Sequence, residues 1–241
     1  MITSSDPADR LIVALDVASL EEASALADRL AGIVRWFKIG PHLFTAAGPA
    51  AVAAAARHGK IFLDLKLHDI PSTVAAGVAA TARLGAALCT VHALGGRAMM
   101  TAAAEAARSA PAGRTGARTR VIAVTLLTSA DAAVLAEIGL GPSTLDVTLR
   151  LARLAKASGL DGVVASAHEA AAIRDACGPE FLIVVPGIRP RGVGAEDQRR
   201  TETPAAAIAA GADMIVVGRA VTLADDPRTA AQAVLEEIAR A

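Results

Sequence analysis

The chain contains no tyrosine, and aromatic residues make up only 2% of its 241 residues. Proteins that bind single-stranded nucleic acids stack the bases on aromatic side chains, so this composition argues against such a surface. Lys and Arg together number 24, as do Asp and Glu, which gives a formal net charge of +0. A chain without excess positive charge also lacks the electrostatic footprint of a duplex binder. We therefore expect no nucleic-acid partner, and we expect any phosphate recognition to be local.

Cysteine is also scarce, and the two cysteines, Cys89 and Cys177, have neither metal-site nor disulfide-framework spacing. This pattern fits a reducing compartment. The first ten residues, M-I-T-S-S-D-P-A-D-R, are polar and acidic, unlike a signal peptide. Apolar stretches are interrupted well before the roughly eighteen residues that a membrane span needs. We expect a soluble, cytoplasmic protein without a membrane partner.

Short runs rich in Val, Ile and Leu recur along the chain, and each is followed by an amphipathic stretch rich in Ala and Leu. Nearly continuous apolar runs are typical of parallel strands that helices cover on both faces. The predicted strands are Leu11–Leu15, Val34–Ile39, Ile61–Leu65, Ala87–Val91, Val121–Thr125, Gly162–Ala165, Phe181–Val185 and Met214–Val217. The predicted helices are Leu20–Leu30, Thr45–His58, Ser72–Leu84, Arg97–Arg108, Thr144–Ala157, His168–Cys177, Thr203–Ala210 and Ala230–Arg240.

This alternation predicts either a closed barrel or an open, doubly wound sheet. Polar residues follow nearly every predicted strand, which suits a barrel mouth where all the carboxyl ends converge. No G-x-G-x-x-G loop follows the first strand, as an open dinucleotide-binding sheet would require. The sequence therefore predicts an α/β fold, one TIM (β/α)8-barrel domain over residues 1–241, with an N-terminal extension over residues 1–10. A polar, glycine-punctuated loop over residues 189–200 is interpreted as a phosphate lid, with a plain surface loop as the alternative.

The densest group of charged residues lies in the segment D-L-K-L-H-D-I-P-S-T, residues 64–73. Because side chains alternate along a strand, Asp64 and Lys66 are expected on the same side. Asp69 follows where the chain turns toward the next helix, and Lys38 ends the neighbouring strand. These four residues predict an array of alternating charges in one cavity, a preorganised field of the kind that catalysis uses. A structural ion pair that closes the barrel end is the alternative for D-x-K-x-x-D alone.

A phosphate site is predicted at the same end, because barrels often bind phosphate with the loops after strands seven and eight. Arg189 follows the seventh predicted strand, and Gly218 and Arg219 follow the eighth. Glycine lets backbone N–H groups approach a ligand, and the guanidinium fork matches phosphate oxygens. A surface salt bridge is the alternative for either arginine.

The order of these motifs resembles that of the orotidine 5′-monophosphate decarboxylase family over nearly the whole chain. The matching segments are L-D-V at Asp16, F-K-I-G at Lys38, the decapeptide 64–73, L-T-S at Thr128 and Ser129, P-G-I-R-P from Pro186 through Arg189, D-Q-R-R at Gln198 and G-R at Gly218 and Arg219. The decapeptide and P-G-I-R-P are specific, whereas L-D-V or G-R alone would be weak.

The resemblance implies roles for residues that the patterns alone leave open. Asp16 would bond the ribose hydroxyls rather than cap a helix. Thr128 and Ser129 would contact the amide edge of the pyrimidine. Gln198 would bond the phosphate from the lid, and Pro186 belongs to the substrate-binding P-G-I-R-P segment. The same resemblance implies a homodimer in which Asp69 and Thr73 complete the partner's site.

The implied reaction is the loss of CO₂ from C6 of orotidine 5′-monophosphate, which gives UMP without a metal or an organic cofactor. No cofactor motif is present to delocalise the electrons, so the protein must stabilise localised negative charge. Lys66 is expected to supply that cation and then to protonate C6. Asp64 and Asp69 would flank the departing carboxylate, and Lys38 would bridge Asp64 and the ribose.

Two other functions fit parts of the pattern. A Mg²⁺-dependent sugar-phosphate lyase or decarboxylase of the same barrel superfamily shares D-x-K-x-x-D, but it has a carboxylate where Lys38 stands, and a lysine there would repel a divalent cation. A non-catalytic nucleotide-binding barrel would be expected if one of the four charged residues were replaced. Outside these motifs, His92 is interpreted as a structural histidine and Trp36 as core or interface packing.

Overall fold

The computed structural model describes residues 6–112, 116–190 and 202–241. Its strands are β1 (Leu11–Ala14), β2 (Trp36–Ile39), β3 (Lys60–Leu67), β4 (Leu88–His92), β5 (Arg120–Val124), β6 (Gly162–Val164), β7 (Leu182–Val185) and β8 (Met214–Val217). Its helices are α1 (Pro7–Arg10), α2 (Leu20–Leu30), α3 (Pro41–Ala47), α4 (Pro49–Ala55), α5 (Pro71–Arg83), α6 (Gly96–Ser109), α7 (Ala132–Glu137), α8 (Thr144–Ala157), α9 (Ala167–Cys177), α10 (Pro204–Ala209), α11 (Arg219–Thr222) and α12 (Pro227–Ala239), and a 3₁₀ turn spans Ala93–Gly95.

The strands pair in parallel and in sequence order, and β8 pairs with β1, so that the sheet closes into a barrel. Helices connect successive strands, which confirms the predicted TIM barrel. All carboxyl ends of the strands therefore face one end of the barrel. The polar residues that follow the strands are brought together at that end.

Side-chain alternation divides the hydrophobic residues into two cores. In β1, Ile12 and Ala14 belong to a cluster inside the barrel, whereas Leu11 and Val13 pack against the surrounding helices. Trp36 lies in the inner cluster and is 5% exposed, which confirms its interpretation as core packing. The interior is thus filled with side chains and is not a pore.

The helical segment predicted over Thr45–His58 is wrong as a single helix. The structure has two helices there, α3 and α4, which meet at Gly48. Gly48 has φ = 56°, a left-handed conformation that glycine adopts without strain, and Pro49 then begins α4. The short helices α1, α7 and α11 were not predicted, because four to six residues carry too little periodicity.

Two predicted segments lie partly outside the described residues. In the N-terminal extension, residues 6–10 are described, and the Arg10 guanidinium donates to the backbone oxygens of Ala212 and Asp213. Of the predicted lid, Arg189 and Pro190 are described, whereas residues 191–200, including Gln198, lie outside. Where the structure describes the chain, no helix has both the length and the apolar character needed to cross a bilayer.

Candidate active site

A cavity of about 340 Å³ opens at the carboxyl ends of the strands. Its apolar floor consists of inner-core residues, namely Ala14, Phe62, Val124, Val164 and Val216. Its polar and charged lining includes Asp16, Lys38, Asp64, Lys66, Thr128, Arg189 and Arg219. The cavity therefore combines a hydrophobic base with polar and charged groups that come from six different loops or strand ends.

Four charged residues form a continuous chain of opposite charges on one side of this cavity. Lys38 Nζ lies 2.9 Å from Asp16 Oδ1 and 3.9 Å from Asp64 Oδ2. Lys66 Nζ lies 2.8 Å from the same Asp64 Oδ2. The side chains of Lys38 and Asp64 are each only 11% exposed, so their charges interact through a poorly solvated medium. Each buried charge thus has an opposite charge beside it, as burial requires.

An irregularity in β3 places Lys66 against Asp64. Strand pairing with β4 joins Leu63 to Cys89 and next joins Leu67 to Val91, so four steps along β3 match two along β4. Among the described non-glycine residues, Lys66 has a positive φ, of 51°. The prediction that Asp64 and Lys66 share a side is correct, but regular strand alternation is not the reason. A bulge that changes the direction of the chain brings the two side chains together.

Glycine at position 40 makes room for the Asp16–Lys38 pair. A Cβ atom built on Gly40 would lie 3.0 Å from both Asp16 Oδ1 and Lys38 Nζ. Any larger residue would therefore press on the two bonded atoms. Asp16 is not a helix cap, because Ser19 accepts the hydrogen bond that caps α2. The F-K-I-G motif thus provides both the lysine and the space in which it binds Asp16.

Most of the predicted site residues line the cavity. They are Asp16, Lys38, Asp64, Lys66, Thr128, Pro186, Arg189, Gly218 and Arg219. Asp69, Thr73 and Ser129 do not line it, and all three are exposed. Asp69 instead accepts a hydrogen bond from the backbone N–H of Ile70 through Oδ1, at 2.6 Å. Within one chain, the array therefore comprises Asp16, Lys38, Asp64 and Lys66, and the participation of Asp69 stays a prediction that depends on a second copy of the chain.

The loops after β7 and β8 also line the cavity. The backbone N–H of Arg189 donates to the backbone oxygen of Glu202 at 3.0 Å, and this hydrogen bond fixes the position of the Arg189 backbone after β7. A Cβ atom on Gly218 would meet only Ala14, at an ordinary 3.8 Å, and φ at Gly218 is negative. Protein packing therefore does not require glycine there. Because Gly218 has no side chain, its backbone is accessible to a ligand in the cavity.

His92, the last residue of β4, stacks on His68 with ring centroids 5.3 Å apart. Its Nδ1 accepts a hydrogen bond from the backbone N–H of Leu94 and so caps the 3₁₀ turn. Burial, with smaller contributions from His68 and Lys66, lowers the pKa of His92 below its usual 6.5. Neither histidine lines the cavity. These contacts support the structural interpretation of His92.

Sequence reasoning missed two residues of this site. Thr90, in the middle of β4, donates from Oγ1 to Asp64 Oδ1 at 2.8 Å and accepts from the backbone N–H of Lys66 at 2.9 Å. Leu127 lines the cavity beside Thr128 although it is 50% exposed. A threonine within an apolar strand resembles an ordinary strand former, so the sequence held no signal for Thr90.

The arrangement suits stabilisation of negative charge better than metal binding. The ammonium groups of Lys38 and Lys66 both contact Asp64 Oδ2, where a divalent cation would have to bind. Within the described ranges, no three His, Cys, Asp or Glu side chains are grouped so that they could hold a metal ion. A fixed ammonium above an apolar floor stabilises an anion that develops beside it.

Comparison with known proteins agrees with this geometry. Residues 9–234 match the family model described as Orotidine 5′-phosphate decarboxylase / HUMPS family. The chain is 53% identical over 233 residues to an orotidine 5′-phosphate decarboxylase of Halorhodospira halophila, covering 96% of this chain and 97% of that protein. It is 48% identical over 238 residues to one of Trichlorobacter lovleyi, covering 98% of each. A crystal structure of orotidine 5′-phosphate decarboxylase from Lactobacillus acidophilus superimposes with a TM-score of 0.84 at 38% identity, covering 95% of this chain and 98% of that one. The chain therefore belongs to the orotidine 5′-phosphate decarboxylase / HUMPS family.

Proposed function

We propose that this protein decarboxylates orotidine 5′-monophosphate to UMP and CO₂, the last step of UMP synthesis. The observation that carries the proposal is the Asp16–Lys38–Asp64–Lys66 chain of charges at the edge of the cavity. Loss of CO₂ leaves an electron pair in an sp² orbital at C6, which cannot spread into the ring. An ammonium held beside C6 is the group that such a localised charge needs.

In the proposed reaction, the bond between C6 and the carboxylate breaks and its electron pair remains on C6. Lys66 stabilises this carbanion and then transfers a proton from Nζ to C6, which yields UMP. The neutral amine regains its proton from solvent. Asp64, 2.8 Å from Lys66 Nζ, positions the lysine and lies beside the departing carboxylate. Lys38 bridges Asp64 and the ribose hydroxyls, which also bond Asp16.

Binding of the nucleotide away from C6 falls to the other lining residues. Arg189, Arg219 and the backbone at Gly218 would bind the phosphate, with Gln198 contributing from the segment outside the described residues. Thr128 would contact the pyrimidine, with Pro186 beside it, and Ser129 stays a prediction for the same edge. Phosphate binding far from the reacting carbon supplies energy that orders the charged groups.

A spectrophotometric assay tests this function directly. The protein is mixed with orotidine 5′-monophosphate, and the loss of orotate absorbance is followed with and without excess EDTA. We expect turnover that EDTA does not change, and UMP as the product. Turnover abolished by EDTA and restored by Mg²⁺ would favour the metal-dependent lyase. The position of Lys38 argues against that enzyme, because its ammonium would repel a divalent cation. Binding of UMP without any turnover would favour a nucleotide-binding barrel that lacks catalysis.

We also propose that the protein acts as a homodimer in the cytoplasm, with Asp69 and Thr73 completing the site of the partner subunit. Both residues are exposed at the barrel mouth, and Ile70 between them is 64% exposed. Leu94, which follows the stacked His92, is 39% exposed. Apolar residues at this rim, together with polar residues aimed outside their own cavity, fit a surface that a second copy covers. The two free, buried cysteines fit a reducing compartment.

A further inference from the structure

The hydroxyl group of Thr90 donates one hydrogen bond and accepts another. It lies in β4 between Cys89 and Val91 and has no exposed surface. Its Oγ1 donates to Asp64 Oδ1 at 2.8 Å and accepts from the backbone N–H of Lys66 at 2.9 Å. Thr90 does not line the cavity, so it has no direct access to a substrate. Any effect on the reaction must pass through the two residues that it bonds.

The first bond fixes the backbone of Lys66. Between Leu63 and Leu67 the register of β3 against β4 shifts, so the regular ladder does not provide a partner for the N–H of Lys66. The Thr90 hydroxyl supplies that partner. Lys66 has φ = 51° there, a conformation that residues other than glycine rarely adopt and that surrounding contacts must maintain. The direction in which the lysine side chain leaves β3 thus depends on this hydroxyl.

The second bond fixes the carboxylate that Lys66 contacts. Thr90 occupies Oδ1 of Asp64, and Oδ2 faces the ammonium groups of Lys66 at 2.8 Å and Lys38 at 3.9 Å. With Oδ1 bonded, the carboxylate cannot rotate without losing a buried hydrogen bond. One hydroxyl therefore determines both where the lysine backbone lies and where its counter-ion points.

We infer that Thr90 is a positioning residue for decarboxylation, which holds the Lys66 backbone and the Asp64 carboxylate in the arrangement that brings the ammonium to the substrate. This inference rests on the proposed role of Lys66. A substitution that removes the hydroxyl but keeps the shape should slow the chemical step, because small displacements of a reacting group reduce rates strongly. It should change substrate binding little, because the phosphate and ribose contacts remain.

Valine and serine separate the hydroxyl from the shape of the side chain. We expect Thr90→Val to lower kcat about 100-fold while KM changes less than about threefold. We expect Thr90→Ser, which keeps both hydrogen bonds, to retain kcat within about threefold of the unmodified protein. Thr119→Val is the matched control, because Thr119 is also buried and bonds the oxygen of Ala86 at 2.7 Å, but precedes β5 at the opposite end of the barrel. It should lower Tm without lowering kcat.

The outcomes distinguish this inference from the function that underlies it. Unchanged kcat in folded Thr90→Val, an equal loss in Thr90→Ser, or an equal loss in Thr119→Val overturns the role of Thr90. If Thr90→Val does not fold, Thr90→Cys takes its place, since a thiol is a weaker hydrogen-bonding group of similar size; reduced kcat supports the inference and full kcat overturns it. Lys66→Ala is measured alongside, and normal turnover in that variant refutes the proposed chemistry itself, whereas an inactive Lys66→Ala with fully active Thr90→Val refutes Thr90 alone.

Discussion

Lys66 Nζ lies 2.8 Å from Asp64 Oδ2 at the edge of a cavity with an apolar floor. This contact leads to the first prediction. Lys66→Ala removes the proposed proton donor, which is also the proposed cation beside C6, so kcat should fall at least about 10⁴-fold, the upper end of what general acid catalysis alone provides. The measurement is a progress curve at saturating orotidine 5′-monophosphate. UMP binding by calorimetry should survive, because the phosphate contacts are intact.

A lysine at the other end of the barrel serves as the control for that substitution. Lys156 Nζ donates to the backbone oxygen of Cys177 at 2.8 Å and does not line the catalytic cavity. Lys156→Ala should therefore leave kcat unchanged. Full activity in Lys66→Ala would contradict the proposed proton transfer.

The phosphate site makes a prediction that depends on the substrate. Arg219→Ala should lower kcat/KM for orotidine 5′-monophosphate about 100-fold, because the proposed charge-assisted hydrogen bond to the phosphate would be lost. For orotidine, which has no phosphate, the same variant should match the unmodified protein within about twofold. Steady-state kinetics with the two substrates provides the measurement.

Arg228→Ala is the corresponding control. Arg228 lies on α12 and its guanidinium donates to the oxygens of Arg29 and Ala31, away from the cavity. Its removal should leave the ratio between the two substrates unchanged. An equal loss for both substrates in Arg219→Ala would mean that Arg219 does not bind the phosphate.

Complementation between inactive variants tests the shared site. Lys66→Ala and Asp69→Ala should each be inactive as purified dimers. If Asp69 serves the partner's site, a mixed dimer contains one site with both residues intact. After random subunit exchange, activity should recover to about a quarter of that of the unmodified protein.

The control mixture combines Lys66→Ala with Asp64→Ala. Since Lys66 and Asp64 are paired within one chain, no mixed dimer can contain an intact site, and activity should not recover. Sedimentation velocity would confirm that each sample is dimeric. Recovery in the control, or none in the test mixture, would be incompatible with the proposed arrangement.

Acid should destabilise the fold partly through His92. Burial first, then His68 and Lys66, lower its pKa in the folded state below 6.5. The unfolded chain therefore takes up a proton near pH 6.5 that the folded chain does not, and the free energy of unfolding falls as pH decreases from there toward the folded pKa. His92→Asn keeps an acceptor for the Leu94 N–H but cannot titrate, so this variant should lose less free energy of unfolding than the unmodified protein when the pH falls from 7.5 to 5.5.

Urea unfolding at the two pH values gives this difference. A His92→Asn variant with the same pH dependence as the unmodified protein would show that His92 does not couple stability to pH.

The barrel was predictable because its strands are nearly continuous apolar runs. No predicted strand end differs from the observed one by more than about two residues. The largest differences are in β2 and β3, where Val34 precedes the strand and Lys66 lies within it. Charged residues at a strand's end look like loop, so the sequence alone ended β3 too early.

The site residues were predictable where a sequence motif contains them. They were unpredictable where only the three-dimensional arrangement brings a residue to the site. Lys38, Asp64 and Lys66 lie together as expected, since the carboxyl ends of neighbouring strands meet. The direction of Asp69 depends on the turn after β3, which no periodicity encodes. Thr90 acts through a hydrogen bond across two strands, and that contact exists only once the register is set.

The shifted pairing divides β3 into residues that pair with neighbouring strands and residues that carry the charged side chains of the cavity. Up to Leu63 the strand pairs with β2 and β4, and by Leu67 it has rejoined β4, so the barrel continues past the irregularity. The residues between belong to no ladder and are available for chemistry. A deletion of two residues in that interval would give a straighter, better paired strand, and it would remove at least one of the proposed reacting groups from an otherwise intact scaffold.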